Sequence, residues 1–188
     1  MKFKMTICSL LVSSSFALLQ GAAIANPFSL RSPQLSSGEI LPESMVFQGF
    51  GCSGGNQSPA LAWENVPDGT KSFAITIFDP DAPTGVGWWH WLVFNLPADV
   101  RSLPQGAGTT GNNQLPGTSE QGYTDYGTNG YGGACPPVGD IPHRYIITVH
   151  ALDIATLPTG AETTGAKLSF LLRNHSLGAA KLVGYYSR

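Results

Sequence analysis

Residues 71–96, KSFAITIFDPDAPTGVGWWHWLVFNL, contain two apolar runs, Phe73–Phe78 and Trp88–Leu96, joined by a segment rich in aspartate, proline and glycine. Both runs are rich in β-branched and aromatic residues and are apolar at successive positions. That pattern is typical of strands that are buried on both faces of a sheet. The sequence therefore predicts two central β-strands joined by a turn.

Polar side chains collect where the first run ends and the second begins. Asp79 and Asp81 follow the first run, and His90 lies near the start of the second. These three residues are predicted to converge on a small site at the mouth of the core. The alternative is that DPDAP forms only a turn, because aspartate and proline are both favoured in turns.

The N-terminal residues have the three parts of a secretory signal peptide. Lys2 and Lys4 precede the uncharged stretch Met5–Leu19, and Ala23-Ile24-Ala25 matches an A-x-A cleavage site. This pattern predicts cleavage after Ala25 and a periplasmic or secreted protein. An uncleaved membrane anchor is the alternative, but a spanning helix needs roughly 20 apolar residues and this run is shorter.

Cleavage would leave residues 26–188 as a single domain, which is long enough to bury a sizeable core. The formal net charge of the whole chain is −2, and it becomes more negative when Lys2 and Lys4 are removed. No basic cluster remains, so nucleic acid and anionic membrane surfaces are not expected partners. The 23 glycines and 14 prolines, with only 12% charged residues, indicate strands joined by ordered loops.

Two cysteines remain once Cys8 leaves with the signal peptide. Cys52 and Cys135 lie in the glycine-rich segments FGCSGGN and YGGACPP. An even pair in an oxidising compartment predicts a disulfide. A reactive thiol or a metal pair is the alternative, although two isolated cysteines make a poor metal site. The sequence predicts no metal ion and no cofactor.

A second loop, residues 131–145 (YGGACPPVGDIPHRY), leads into an apolar strand predicted at Tyr145–Leu152. Because side chains alternate along a strand, His143 and Tyr145 share one face and His150 lies on the other. His143 and Tyr145 can therefore enter one site together. His150 is predicted to be a core or surface histidine with a partner of its own.

The sequence period changes near the C-terminus. Leucines at helical spacing in Ala166–His175, with Thr163 or Thr164 as N-cap, predict an amphipathic helix. A last strand is predicted at Ala180–Tyr186. Further candidate strands precede the central pair, at Phe28–Leu30 and Ser44–Phe50, and Ser58–Trp63 leads into a short strand.

Several of these segments resemble the phosphatidylethanolamine-binding protein (PEBP) family. They are SPALAW at residues 58–63, DPDAPTG followed by WWHWLVFNLP, and GYGGACPPVGDIPHRY. The likeness is greatest to the bacterial Raf-kinase-inhibitor-like branch and to its exported members, and it covers nearly the whole chain after Ala25. Where eukaryotic members have GPP, this chain has Ala134-Cys135-Pro136-Pro137, a departure that leaves room for the disulfide.

The resemblance implies a mainly β fold, with two antiparallel sheets, a few peripheral helices including one near the C-terminus, and a small anion-binding pocket. It also implies a small phosphorylated or anionic ligand, such as a phospholipid headgroup, and leaves a protein partner and a homodimer open. The ligand-binding positions that it transfers to this chain are Asp79, Asp81, Pro83, His90, Pro136, Pro137, His143 and Tyr145.

Two aspartates beside a phosphate would repel it by several kcal/mol at an effective dielectric constant of about 20. We therefore expect protonated His90 or His143, backbone N–H groups and the Tyr145 hydroxyl to supply the attraction. The aspartates would orient a histidine and raise its pKa, or accept a hydrogen bond from a ligand ammonium. Anion binding is then expected to strengthen as the pH falls.

Three functions are compatible with this sequence. The first is a binding protein for a small anion, with or without a protein partner. The second is a protein-interaction or inhibitor protein with a vestigial pocket, and the third is a hydrolase that uses the aspartate and histidine side chains. The chain has no Walker or H-E-x-x-H motif, and its G-x-S-x-G string at residues 51–55 (GCSGG) lies in a predicted glycine-rich loop, not at a nucleophile elbow, so we do not expect an enzyme. Kinase inhibition is not transferred, because an exported protein would not meet cytosolic kinases.

Overall fold

The computed structural model describes Met1, residues 26–111 and residues 114–188. The predicted signal peptide, with Cys8, lies outside the described residues apart from Met1. No helix in the described part of the chain is long and apolar enough to cross a membrane.

Most of the regular structure is β-strand, as expected from the sequence. The described strands are β1 (Ser29–Arg31), β2 (Gln48–Gly49), β3 (Cys52–Ser53), β4 (Leu61–Glu64), β5 (Ser72–Asp79), β6 (Trp88–Pro97), β7 (Ser102–Leu103), β8 (Glu120–Gln121), β9 (His143–Leu152) and β10 (Ser176–Tyr186). The described helices are a 3₁₀ turn at Glu43–Met45 and the α-helix α1 at Gly165–His175. The mainly β fold with a helix near the C-terminus is therefore confirmed.

Within the described residues the strands pair antiparallel and form three sheets. The largest has the order β10-β9-β5-β6-β8, a second has the order β1-β4-β7, and β2 and β3 form a small hairpin. The two expected sheets are thus accompanied by a third. This hairpin replaces most of the strand predicted over Ser44–Phe50, because the 3₁₀ turn occupies the start of that segment.

The two central strands predicted from residues 71–96 are confirmed. β5 lies in the middle of the largest sheet, with β6 on one side and β9 on the other. Asp79 at the end of β5 is opposite Trp88 at the start of β6, and Phe78 is opposite Ile146 near the start of β9. The end of one strand and the beginnings of two others therefore share one edge of the sheet.

The sheet separates two apolar clusters. The larger includes Trp63, Trp91 and Ile147, and the smaller lies between the sheet and α1, where Phe94 packs with Leu168. Alternation of side chains along strands explains why neighbouring residues such as Trp91 and Leu92 enter different clusters. Both faces of the central strands are covered, as their continuous apolar character requires.

The C-terminal elements agree with the sequence except at one boundary. The Thr164 side chain caps α1 by accepting a hydrogen bond from the Lys167 backbone N–H. The following strand was predicted to begin at Ala180, but β10 begins at Ser176, directly after the helix. Pairing with β9 extends the strand through Gly178, where the register is irregular. Such pairing is a tertiary effect that the local sequence does not reveal.

Candidate functional site

A cavity of about 210 Å³ opens at the shared edge of β5, β6 and β9. Of the binding residues predicted from sequence, all except Asp81 line this cavity: Asp79, Pro83, His90, Pro136, Pro137, His143 and Tyr145. The strand ends supply the polar side chains, and the two loops supply the prolines. The structure therefore brings the two predicted loops to one place.

Asp79 is buried, and both of its carboxylate oxygens have partners. Oδ1 accepts hydrogen bonds from the backbone N–H groups of Asp81 (2.8 Å) and Ala82 (3.0 Å). Oδ2 lies 2.7 Å from His143 Nδ1. Asp79 therefore fixes both the turn after β5 and the ring of His143, which is the orienting role expected of an aspartate here.

His143 lies between two carboxylates. Its side chain is only 1% exposed, and its Nε2 lies 3.3 Å from Asp140 Oδ2 while Nδ1 faces Asp79. Burial alone would lower the pKa of His143, but hydrogen bonds and charge from Asp79 and then Asp140 raise it above the usual value. A protonated His143 compensates the charge of Asp79 beside the cavity.

His90 is also buried, and of the two histidines expected to supply positive charge it is the one that is neutral in the free protein. Burial lowers the pKa of His90, and this effect outweighs the opposing influence of the Gly132 carbonyl and of Asp79. Nδ1 lies 2.8 Å from the Gly132 carbonyl oxygen. Since a carbonyl oxygen only accepts, Nδ1 carries the hydrogen and the neutral ring leaves Nε2 without one.

Three buried polar atoms of cavity-lining residues have no hydrogen-bond partner among the described residues. They are His90 Nε2, the Tyr145 hydroxyl oxygen and Trp88 Nε1. The first two belong to adjacent rings. The two rings pack edge to face with their centroids 5.1 Å apart. The Tyr126 ring contacts His90 in the same way at 5.6 Å, but its hydroxyl donates to the Gly133 carbonyl oxygen. His90 and Tyr145 are therefore available to form hydrogen bonds with a ligand.

Asp81 was predicted to face the same site, and this prediction is wrong. Its two oxygens bind the Arg144 guanidinium in a bidentate pair at 2.8 and 2.7 Å, and Oδ2 also accepts from the Arg144 backbone N–H. These hydrogen bonds hold the pKa of Asp81 at about 2. Side chains two positions apart share a face only in a regular strand, and Asp81 lies in the turn that follows β5.

The predicted disulfide between Cys52 and Cys135 is confirmed. Cys135 lines the cavity and precedes the two prolines of the wall. The Arg188 side chain donates to the Pro136 carbonyl oxygen at 2.6 Å, which adds a second link to the same loop. The disulfide and the C-terminal arginine together fix this side of the cavity.

His150 lies away from the cavity, as the strand alternation predicts. Its Nε2 is 3.3 Å from the Thr76 hydroxyl oxygen. Burial, with a smaller effect of Lys181, lowers the pKa of His150 to about 4. His150 therefore provides a matched comparison for the two cavity histidines.

Sequence reasoning missed several residues of the site. The cavity is also lined by Trp88, Phe50 and Tyr126. Asp140, at the margin of the cavity, contacts His143. Trp88 directly precedes the WHW segment and could have been inferred from it. Tyr126 and Phe50 reach the cavity through long-range packing against each other and carry no local signal.

The structure gives no indication of a metal centre in the part of the chain that it describes. Within residues 26–111 and 114–188, no group of three histidine, cysteine, aspartate or glutamate side chains is arranged to hold a metal ion.

The family model described as "Phosphatidylethanolamine-binding protein" matches residues 31–187. The chain therefore belongs to the phosphatidylethanolamine-binding protein family. Two Escherichia coli K12 relatives are similar over most of their length. UPF0098 protein YbcL is 46% identical over 178 residues, covering 95% of this chain and 97% of its own. UPF0098 protein YbhB is 51% identical over 158 residues, covering 84% of this chain and 99% of its own.

Solved structures show the same relationship. The crystal structure of E. coli YbcL, described as a new member of the mammalian PEBP family, superposes with a TM-score of 0.84 at 47% identity. That match covers 86% of this chain and 98% of YbcL. The PEBP homolog CT736 from Chlamydia trachomatis gives a TM-score of 0.73 at 32% identity, covering 87% of this chain and 99% of its own.

Proposed function

We propose that this protein is an exported binding protein whose cavity takes a small anion, such as the phosphate of a phospholipid headgroup. The observation that carries the proposal is the pair of partnerless buried atoms, His90 Nε2 and the Tyr145 hydroxyl, which share the cavity wall with a third, Trp88 Nε1. An unsatisfied buried polar group costs about 1–3 kcal/mol. A ligand that forms hydrogen bonds with both atoms offsets that cost.

The charges around the cavity support an anion despite the two aspartates. Asp79 is compensated by His143, and Asp81 is bound to Arg144 outside the cavity wall. The repulsion expected from two free carboxylates is therefore largely removed. The Tyr145 hydroxyl remains available to donate, because burial raises its pKa.

The size of the cavity favours a headgroup over a larger ligand. Pockets for drug-sized molecules occupy roughly 300–1,000 Å³, and this cavity has about 210 Å³. A phosphate with a small substituent suits that space. The acyl chains of an intact phospholipid would have to lie outside it.

Export is supported by the signal-like N-terminus and by the Cys52–Cys135 disulfide, because such bonds persist in oxidising compartments. Mass spectrometry of the protein from a periplasmic or extracellular fraction tests this point. A mature N-terminus at Asn26 is expected. A full-length chain retained in the cytoplasm would contradict export.

Isothermal titration of the oxidised mature protein with phosphoethanolamine tests the binding function. We expect saturable binding that weakens at least about tenfold in His90→Ala, equivalent to roughly 1.4 kcal/mol. The control is His150→Ala, which removes a histidine outside the cavity and is expected to leave the affinity unchanged. Absence of binding to the wild type contradicts the function.

A protein partner is the second candidate function. Exposed apolar side chains lie on the loops beside the cavity, where Phe50 is 70%, Val138 78% and Ile141 68% exposed. A partner that used this surface would still bind His90→Ala and would be lost in Phe50→Ser. We propose no catalytic role, and turnover of a phosphate ester by the wild type but not by His90→Ala would instead indicate a hydrolase.

A further inference from the structure

Which nitrogen of His90 donates and which accepts a hydrogen bond restricts the ligands that can occupy the cavity. Nδ1 donates to the Gly132 carbonyl oxygen at 2.8 Å, so the neutral ring presents only a lone pair at Nε2. A deprotonated phosphate oxygen also only accepts hydrogen bonds. Two acceptors repel unless a proton lies between them.

We propose that the cavity binds its anion together with one proton, held between a ligand oxygen and His90 Nε2. This inference rests on the proposed anion-binding function and specifies the form of the ligand. A phosphomonoester can bring the proton as its monoanion. A dianion or a phosphodiester brings none, so the complex takes one proton from solvent and His90 becomes the donor.

The groups around His90 favour that proton once an anion is present. Asp79 at the end of β5 and Asp125 from the neighbouring loop both favour the protonated ring. Tyr126 and Tyr145 pack edge to face with the ring and remain neutral because burial raises the pKa of both hydroxyls.

In the free protein, desolvation of His90 is the larger effect and the ring stays neutral. His143, the remaining titratable side chain of the cavity wall, is already held by Asp79 and Asp140. The negative charge of a bound anion then favours the protonated form of His90. Tyr145 then donates to a second ligand oxygen, so His90 Nε2 and the Tyr145 hydroxyl are satisfied together.

Phosphate monoesters and diesters distinguish the two sources of the proton. A monoester has a second pKa of about 6, whereas a diester stays a monoanion without an acidic proton. The phosphate of an intact phospholipid headgroup is a diester, and a free phosphorylated metabolite is commonly a monoester. The proton balance of binding therefore also separates these two ligand classes.

The experiment is isothermal titration of the oxidised wild type with methyl phosphate and with dimethyl phosphate, in buffers of different ionisation enthalpy. Neither probe has an ammonium group that could itself donate to Nε2. Near pH 7.5 we expect uptake of about one proton per site with either ligand. Near pH 5.5 we expect almost none with methyl phosphate, which is then largely the monoanion, and still about one with dimethyl phosphate.

The lower pH excludes His143 as the source of the uptake. Its pKa is raised, so it is already protonated near pH 5.5 and takes up nothing further. In His90→Asn, a side-chain amide can donate to the anion directly, so binding is expected to persist without proton uptake. Tyr145→Phe is the matched control, with weaker binding and unchanged uptake, and thermal unfolding of both variants verifies that they fold.

The outcomes separate the inference from the function on which it rests. Saturable binding of dimethyl phosphate without proton uptake near pH 5.5, or unchanged uptake in His90→Asn, overturns the inference and leaves anion binding intact. Binding of methyl phosphate alone, with uptake near pH 7.5 that is lost in His90→Asn, supports it and assigns the site to monoesters. Failure of the wild type to bind either probe overturns both.

Discussion

His143 shows how two neighbouring carboxylates set the charge of one buried side chain. Burial lowers its pKa, while Asp79 and then Asp140 raise it, with a net increase. We predict that Asp79→Asn lowers the pKa of His143, measured by NMR titration of the ring. Asp140→Asn is the comparison and should lower it less, since Asp140 is 35% exposed and 3.3 Å away. An equal or larger effect of Asp140→Asn would contradict this assignment.

The same pair makes stability depend on pH in a defined direction. His143 has a higher pKa in the folded protein than the unfolded value of about 6.5. The stabilisation that folding gains from protonated His143 is therefore complete below about pH 6.5. It is lost as the pH rises through the pKa of His143 in the folded protein. Urea unfolding should show Asp79→Asn to be destabilised by about 2 kcal/mol near pH 6 and by less near pH 9. A larger loss near pH 9 would be inconsistent with a protonated His143.

At the scale of elements, α1 is held to the sheet by its buried face. Leu168 is fully buried in the smaller apolar cluster, whereas Phe170 on the same helix is 68% exposed. We predict that Leu168→Ala lowers the free energy of unfolding by about 3 kcal/mol. Phe170→Ala is the matched control and should change it by less than about 0.5 kcal/mol. Chemical denaturation measures both, and similar losses in the two variants would mean that the helix packs differently.

The central strands could be predicted because their signal is local. The composition of the apolar runs around residues 73–78 and 88–96 is enough to predict that they are buried. The helix cap at Thr164 can be predicted because a threonine directly precedes the helical leucine pattern. The early start of β10 at Ser176 could not be predicted, since it depends on pairing with β9. The orientation of Asp81 toward Arg144 likewise depends on a strand 63 positions away.

For the whole molecule, the disulfide links the hairpin β2–β3 to the cavity wall. Cys52 and Cys135 are 83 positions apart, so the bond closes a large loop in the unfolded chain. The chain-entropy model gives about 4 kcal/mol for such a loop. We predict that reduction of the disulfide lowers the free energy of unfolding by an amount of this order. Urea unfolding of the oxidised and the reduced protein measures the difference. Cys52→Ser with Cys135→Ser should behave like the reduced wild type and should also bind phosphate more weakly.

An unchanged affinity in the double variant would show that the wall beside Pro136 keeps its position without the disulfide. An unchanged stability would contradict the chain-entropy account for this loop. Neither result would alter the assignment of His90 and Tyr145 to the cavity, because both lie on strands of the largest sheet.

The site as a whole could be predicted only in part from the sequence. The residue types and the two loops were identified, and Asp79, His90, His143 and Tyr145 do meet at one cavity. The charge of His90 was not predictable, because it depends on burial and on the Gly132 carbonyl, 42 positions away along the chain. Long-range contacts of this kind decide which histidine is charged.

The most direct test of anion binding at this cavity is ¹⁵N NMR of the histidine rings with and without inorganic phosphate. In the free protein we predict that His90 is protonated at Nδ1 and unprotonated at Nε2. Saturating phosphate should shift His90 Nε2 toward the protonated range and leave His150, on the far side of the sheet, unchanged. A His90 signal that does not move while phosphate is added to millimolar concentrations, or that moves no more than His150, would contradict the account.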